Sequence, residues 1–112
     1  VSHNLAMNEE LQMILAELRQ RLAEHYGERL VEVVLFGSQA RGDAVPGSDI
    51  DVLVVLKGPV HPGEEIEGTG EFCAALSLKY DVLISTVFVS EEDFHHAQTP
   101  LMRNVHREGI RI

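Results

Sequence analysis

Two short apolar runs constrain this chain more than anything else in it: Leu30–Phe36 (LVEVVLF) and Ile50–Leu56 (IDVLVVL). Both are rich in β-branched Val and Ile, whose stiff side chains suit a pleated surface, and both are short, so they predict strands. Almost every position is apolar, so neither face can stand in water. Strands of that kind lie inside a sheet that is covered on both sides.

The cover is also legible. From Asn8 to Tyr26, Leu11, Ile14, Leu15, Leu18 and Leu22 recur at helical spacing. Asn8 suits an N-cap, Glu9 and Glu10 sit where the helix dipole favours anions, and Gly27 can end the helix. Lys57–Gly70 contains four glycines and two prolines and predicts a loop, with Glu64, Glu65 and Glu67 as a solvated acidic surface. Glu71–Leu78 predicts a short helix with Phe72, Cys73, Ala75 and Leu76 facing inward, and Tyr80–Val89 a third strand. Ser90 caps a helix opening on Glu91, Glu92 and Asp93, and Thr99-Pro100 opens a last helix that stops at Gly109. The expected fold is α/β (α+β), a small mixed sheet with flanking helices, in a single domain over residues 1–112.

Composition excludes several kinds of function. Hydrophobic residues make up 45% and charged residues 24%, the balance of a folded globular chain. Nine Lys and Arg against 18 Asp and Glu leave a formal charge of -9. Such a chain cannot grip nucleic acid or an anionic membrane by broad basic attraction, so any phosphate must be held locally. The single cysteine, Cys73, excludes an internal disulfide and a Cys-rich zinc site, and fits a reducing, cytoplasmic setting. No apolar run approaches the roughly 20 residues of a membrane span. No signal peptide opens the chain; it begins at Val1, with Met7 as a candidate native start. Six histidines, His3, His25, His61, His95, His96 and His106, show no zinc spacing on a common helix face and suit surface or capping roles.

The chemistry is concentrated in Gly37–Asp51 (GSQARGDAVPGSDID), between the two buried strands. Gly37 permits unusual dihedrals and close backbone approach. Ser38 adds a hydroxyl, and a helical turn over Gln39–Arg41 would aim amide groups at an anion. Arg41 is the nearest cation, suited equally to a triphosphate, an acidic partner residue or the surface. Asp49 and Asp51 are two residues apart at a strand start, which puts both carboxylates on one face while Ile50 and Val52 enter the core. Like charges so placed repel, and a divalent cation turns that repulsion into ligation. Asp81, at the start of the third predicted strand, would bring a third carboxylate if its strand lies beside that of Asp49 and Asp51. Taken singly, each feature also fits an ordinary turn or strand mouth.

Together they form a long spaced pattern: Gly37-Ser38, ten residues, then Asp49-Ile50-Asp51, with Ala40-Arg41-Gly42 between. It resembles the signature of the DNA polymerase β-like nucleotidyltransferase superfamily, and within it the minimal nucleotidyltransferase (MNT) branch. The resemblance implies the polymerase β-like fold and transfer of a nucleoside monophosphate, AMP from ATP in particular, to a hydroxyl, with pyrophosphate leaving. It implies two Mg²⁺ ions, or Mn²⁺, held by Asp49, Asp51 and Asp81, and a nucleotide held by Gly37, Ser38 and Arg41. For the MNT branch it implies a HEPN-type toxin as partner, this chain being the antitoxin that modifies or binds it, in a homo- or hetero-oligomer. A net charge of -9 suits docking on a basic partner. The alternatives are a module that neutralises its partner by binding alone, and a transferase acting on a small molecule.

Overall fold

The computed structural model describes residues 8–112; the expectations for Val1, His3 and Met7 lie outside the described residues. The elements run α1 (Glu9–Tyr26), a 3₁₀ turn (Gly27–Arg29), β1 (Leu30–Phe36), α2 (Ser38–Arg41), β2 (Ile50–Leu56), α3 (Pro62–Tyr80), β3 (Ile84–Ser90), α4 (Glu91–His96), α5 (Pro100–Glu108) and β4 (Ile110–Arg111). The sheet has four strands in the order β3-β2-β1-β4. β1 is antiparallel to β2 and to β4, while β2 and β3 are parallel and joined through α3. The sheet is therefore mixed, as expected.

Period-two alternation divides the strand residues between two apolar clusters. Val33, Leu35, Ile50, Val52, Val54 and Leu56 face the stripe of α1 and Leu76 of α3. Val34, Leu53 and Val55 face Phe94 of α4 and Met102 and Val105 of α5. Every side chain of β2 from Val52 to Leu56 is fully buried, which accounts for its lack of any polar alternation. The helix caps follow the sequence: Asn8, Ser90 and Thr99 each accept a backbone N–H from the third residue on. None of the helices is long and apolar enough to cross a membrane, among the described residues.

Several expectations are corrected. Pro62–Tyr80 is one helix of 19 residues, not a loop followed by a short helix. Glycine disfavours a helix by about 1 kcal/mol relative to alanine, but packing overrides that cost. Pro62 sits in the first turn, where its missing N–H costs no helical bond, and the His25 ring of α1 packs edge-on to Phe72 of the same helix. Glu65 is accordingly buried rather than solvated. It accepts from the Tyr26 hydroxyl at 2.9 Å and lies 3.8 Å from Arg29, and burial together with Glu65 pushes the Tyr26 phenol up. Ala75 is exposed, whereas Leu76 is buried and Phe72 and Cys73 are half-buried against the same core, as expected.

The extension of α3 also consumes Tyr80 and moves Asp81 off the third strand. Asp81 is the C-cap, left-handed at φ 53°, with its N–H on the Ser77 carbonyl. Strand β3 begins three residues later, at Ile84. Finally, β4 was not anticipated. Two residues carry too little periodicity to show, and Ile110 is recruited by pairing with Leu35.

Candidate active site

The C-terminal end of β1 and the starts of β2 and β3 meet at one edge of the sheet. Phe36 pairs with Asp51 across the antiparallel ladder, and Asp51 pairs with Ser85 across the parallel one. The chain leaves Phe36 through Gly37 at φ 76° and ψ -158°, a region that is essentially glycine's alone. A Cβ at Gly37 would overlap Oδ2 of Asp51 and lie 3.3 Å from its Cγ. The Gly37 backbone therefore rests directly on the Asp51 carboxylate.

Helix α2 starts from that contact. The Ala40 and Arg41 amides both donate to the Gly37 carbonyl, at 3.1 and 3.0 Å. The Ser38 and Gln39 amides, at the helix start, have no preceding helical carbonyl to reach. The loop back to β2 is built by Val45–Ser48. Ser48 N–H donates to the Val45 carbonyl at 3.0 Å, and Val45 N–H donates to Ser48 Oγ at 2.9 Å. Pro46 stands second in this turn and Gly47, at φ 87°, third, the residue pattern of a type II turn. Gln39 Nε2 reaches the Ser48 carbonyl at 3.4 Å, linking α2 to the residue just before Asp49. Gln39 and Ser48 were not singled out in the sequence; their roles depend on how the loop closes.

Asp49 is exposed immediately before β2, and Asp51 is half-buried on its first turn of the pleat. Burial raises the Asp51 pKa, the Asp49 charge raises it further, and Arg41 draws it back. Arg41 thus offsets the effects of burial and of Asp49 only in part. Arg41 is engaged within the chain: it pairs with Asp43 at 3.2 Å and with Glu108 of α5 at 3.1 Å. Asp81 is exposed at the end of α3 and does not complete a triad. Among the described residues no three His, Cys, Asp or Glu side chains gather closely enough to hold a metal ion. The reason is the left-handed cap, which places Asp81 outside the ladder that aligns Asp51 with β3. Asp49 and Asp51 alone are an all-oxygen donor pair, the kind that holds Mg²⁺ when substrate phosphates supply the other ligands.

The sequence pattern of the nucleotidyltransferase domain matches residues 15–110. The chain belongs to the nucleotidyltransferase domain family. A candidate protein adenylyltransferase of Methanocaldococcus jannaschii is 38% identical over 104 residues, covering 92% of this chain and 96% of that protein. The fold of this nucleotidyltransferase is shared by a crystal structure of a candidate nucleotidyltransferase from Sulfolobus solfataricus. That likeness has a TM-score of 0.65 at 23% identity, over 88% of this chain and 76% of the other. It is shared too by a chain in the solved complex of a tri-AMPylated Shewanella oneidensis HEPN toxin with its MNT antitoxin. There the TM-score is 0.59 at 20% identity, over 89% of this chain and 69% of the other. The family expected from the Gly37–Asp51 pattern, the fold and the enzyme class are therefore borne out.

Proposed function

We propose that this nucleotidyltransferase transfers AMP from ATP to a hydroxyl of a partner protein, with Mg²⁺ or Mn²⁺ required, and that the partner is a HEPN-type toxin which it restrains as an antitoxin. The observation that carries this reading is the seating of Gly37 on Asp51, which joins the phosphate-turn backbone to the carboxylate pair. An adenylyltransferase relative supports AMP as the transferred group, and the likeness to the antitoxin of a HEPN toxin supports the partner class. The chain's net charge of -9 suits a basic partner surface.

Asp49 and Asp51 would hold the cation. When bound, it neutralises charge on the triphosphate and so makes the α-phosphorus open to attack. The Ser38 and Gln39 amides and the Ser38 hydroxyl would receive phosphate oxygens, and Gly37 lets the turn lie against the Asp51 carboxylate without a Cβ between. Arg41, held by Asp43 and Glu108, keeps its positive charge beside the site. The acceptor oxygen forms a bond to the α-phosphorus, and the bond from that phosphorus to the α–β bridging oxygen breaks. Pyrophosphate leaves with the electron pair, and the hydroxyl proton passes to water. Phosphoryl chemistry of this kind depends on positioning and charge stabilisation rather than on a protein nucleophile, which suits a site with no activated Ser, Cys or His in it.

Incubation with ATP labelled at the α-phosphate, Mg²⁺ and a HEPN partner tests the proposal. Label is expected on the partner with the wild-type chain and is lost with Asp49→Asn and Asp51→Asn. Equal labelling by the Asn variants would refute it. Protection of cells by an Asp51→Asn chain would instead support neutralisation by binding alone.

A further inference from the structure

We propose that Ser85, and not Asp81, is the third member of this site, and that with a hydroxyl there the site holds a single divalent cation rather than two. The inference rests on the proposed nucleotidyl transfer and refines its metal requirement. Ser85 stands directly beside Asp51 in the parallel β2–β3 register. Side chains abreast in a sheet point to the same face from strands roughly 4.8 Å apart. The face is fixed further along: Val87 and Val89 of β3 pack in the same cluster as Leu53 and Val55 of β2, and each lies an even number of residues from Ser85 and Asp51 respectively. Ser85 is half-buried at the open end of the sheet.

The chemical consequence follows from the side-chain type. A serine hydroxyl stays neutral in the ordinary pH range and offers lone pairs or one O–H. It can complete the oxygen shell of a cation or donate to the Asp51 carboxylate. It adds no negative charge with which the protein could hold a second dication. Two carboxylates match one Mg²⁺ whose remaining ligands are water and substrate phosphate. Asp81, exposed at the C-cap of α3, lies outside this row.

The test is the number of Mn²⁺ ions bound per protein-bound α,β-methylene-ATP, measured by equilibrium dialysis and electron paramagnetic resonance on the full chain. One ion is expected for the wild type and for Asp81→Asn, and two for Ser85→Asp. Two ions on the wild type, none added by Ser85→Asp, or loss of the ion in Asp81→Asn would overturn the inference. Ser85→Ala decides the matter should Ser85→Asp fail to fold: several-fold weaker Mn²⁺ binding supports the role of Ser85, and unchanged affinity overturns it. Asp51→Asn reports on the underlying function separately. Its loss of Mn²⁺ is expected on that reading, and full retention would remove the transferase site itself whatever Ser85 does.

Discussion

Replacing Gly37 by alanine separates two effects that the structure superimposes. The first is backbone strain. At φ 76° and ψ -158° a non-glycine residue costs about 1–3 kcal/mol. For a chain of 112 residues that corresponds to a fall in Tm of roughly 4–13 °C. The second is displacement: the new methyl would occupy the space of Asp51 Oδ2, and β2 is too firmly packed to retreat, so the carboxylate must rotate away. A displacement of about 1 Å in a catalytic group can cost on the order of 100-fold in rate. Gly37→Ala should therefore lose both stability and transfer, together with Mn²⁺ affinity. Gly27→Ala is the matched control. Its φ is 56° and ψ -127°, so its backbone is also strained, but an added Cβ meets nothing within 4 Å. It should lose stability and keep transfer. Urea unfolding of both variants alongside the labelled-ATP assay measures the two effects independently. If Gly37→Ala is destabilised like Gly27→Ala but transfers AMP at the wild-type rate, the glycine–carboxylate contact has no functional meaning.

Other substitutions probe the same balance. Asp51→Asn removes the repulsion with Asp49, so the metal-free protein should unfold at equal or higher urea, by no more than about 1 kcal/mol, although transfer is abolished. Leu18→Ala, at a fully buried position on α1, should cost about 2–5 kcal/mol in chemical unfolding. The Arg41–Glu108 pair is solvent-exposed on the arginine side, so a double-mutant cycle should show a small coupling that fades as salt is raised. Glu17 accepts from Lys79 and Tyr80, and these bonds hold its carboxyl below the ordinary 4.5. Its contribution is complete above pH 4.5 and lost as pH falls through the lower folded value. Glu17→Gln should therefore flatten the acid limb of a Tm-against-pH curve and leave the neutral region sloping as before.

Much of the fold was readable because its signals are local. The α1 stripe, the all-apolar β1 and β2 and the Asn8, Ser90 and Thr99 caps each depend on side-chain type at short spacing. The Gly-Ser turn and the Asp49–Asp51 pair are legible for the same reason, since period two alone places both carboxylates on one face. Where the reading failed, distant partners had prevailed. Gly63, Gly68 and Gly70 signal a loop, yet Tyr26 and Arg29 engage Glu65, and His25 meets the Phe72 ring, contacts that favour the helix. That helix then ran on to Tyr80 and turned Asp81 into a left-handed cap, although YDVLIS reads as a strand from its first residue.

Residue type and spacing thus settled which groups the chain can offer: a phosphate turn, a carboxylate pair and the strands that carry them. Tertiary structure decided which groups meet. The neighbour of Asp51 on β3 is set by ladder register, and register depends on where α3 ends and on which faces of β2 and β3 pack against α4 and α5. Those are contacts between residues far apart in the chain, and no local pattern encodes them.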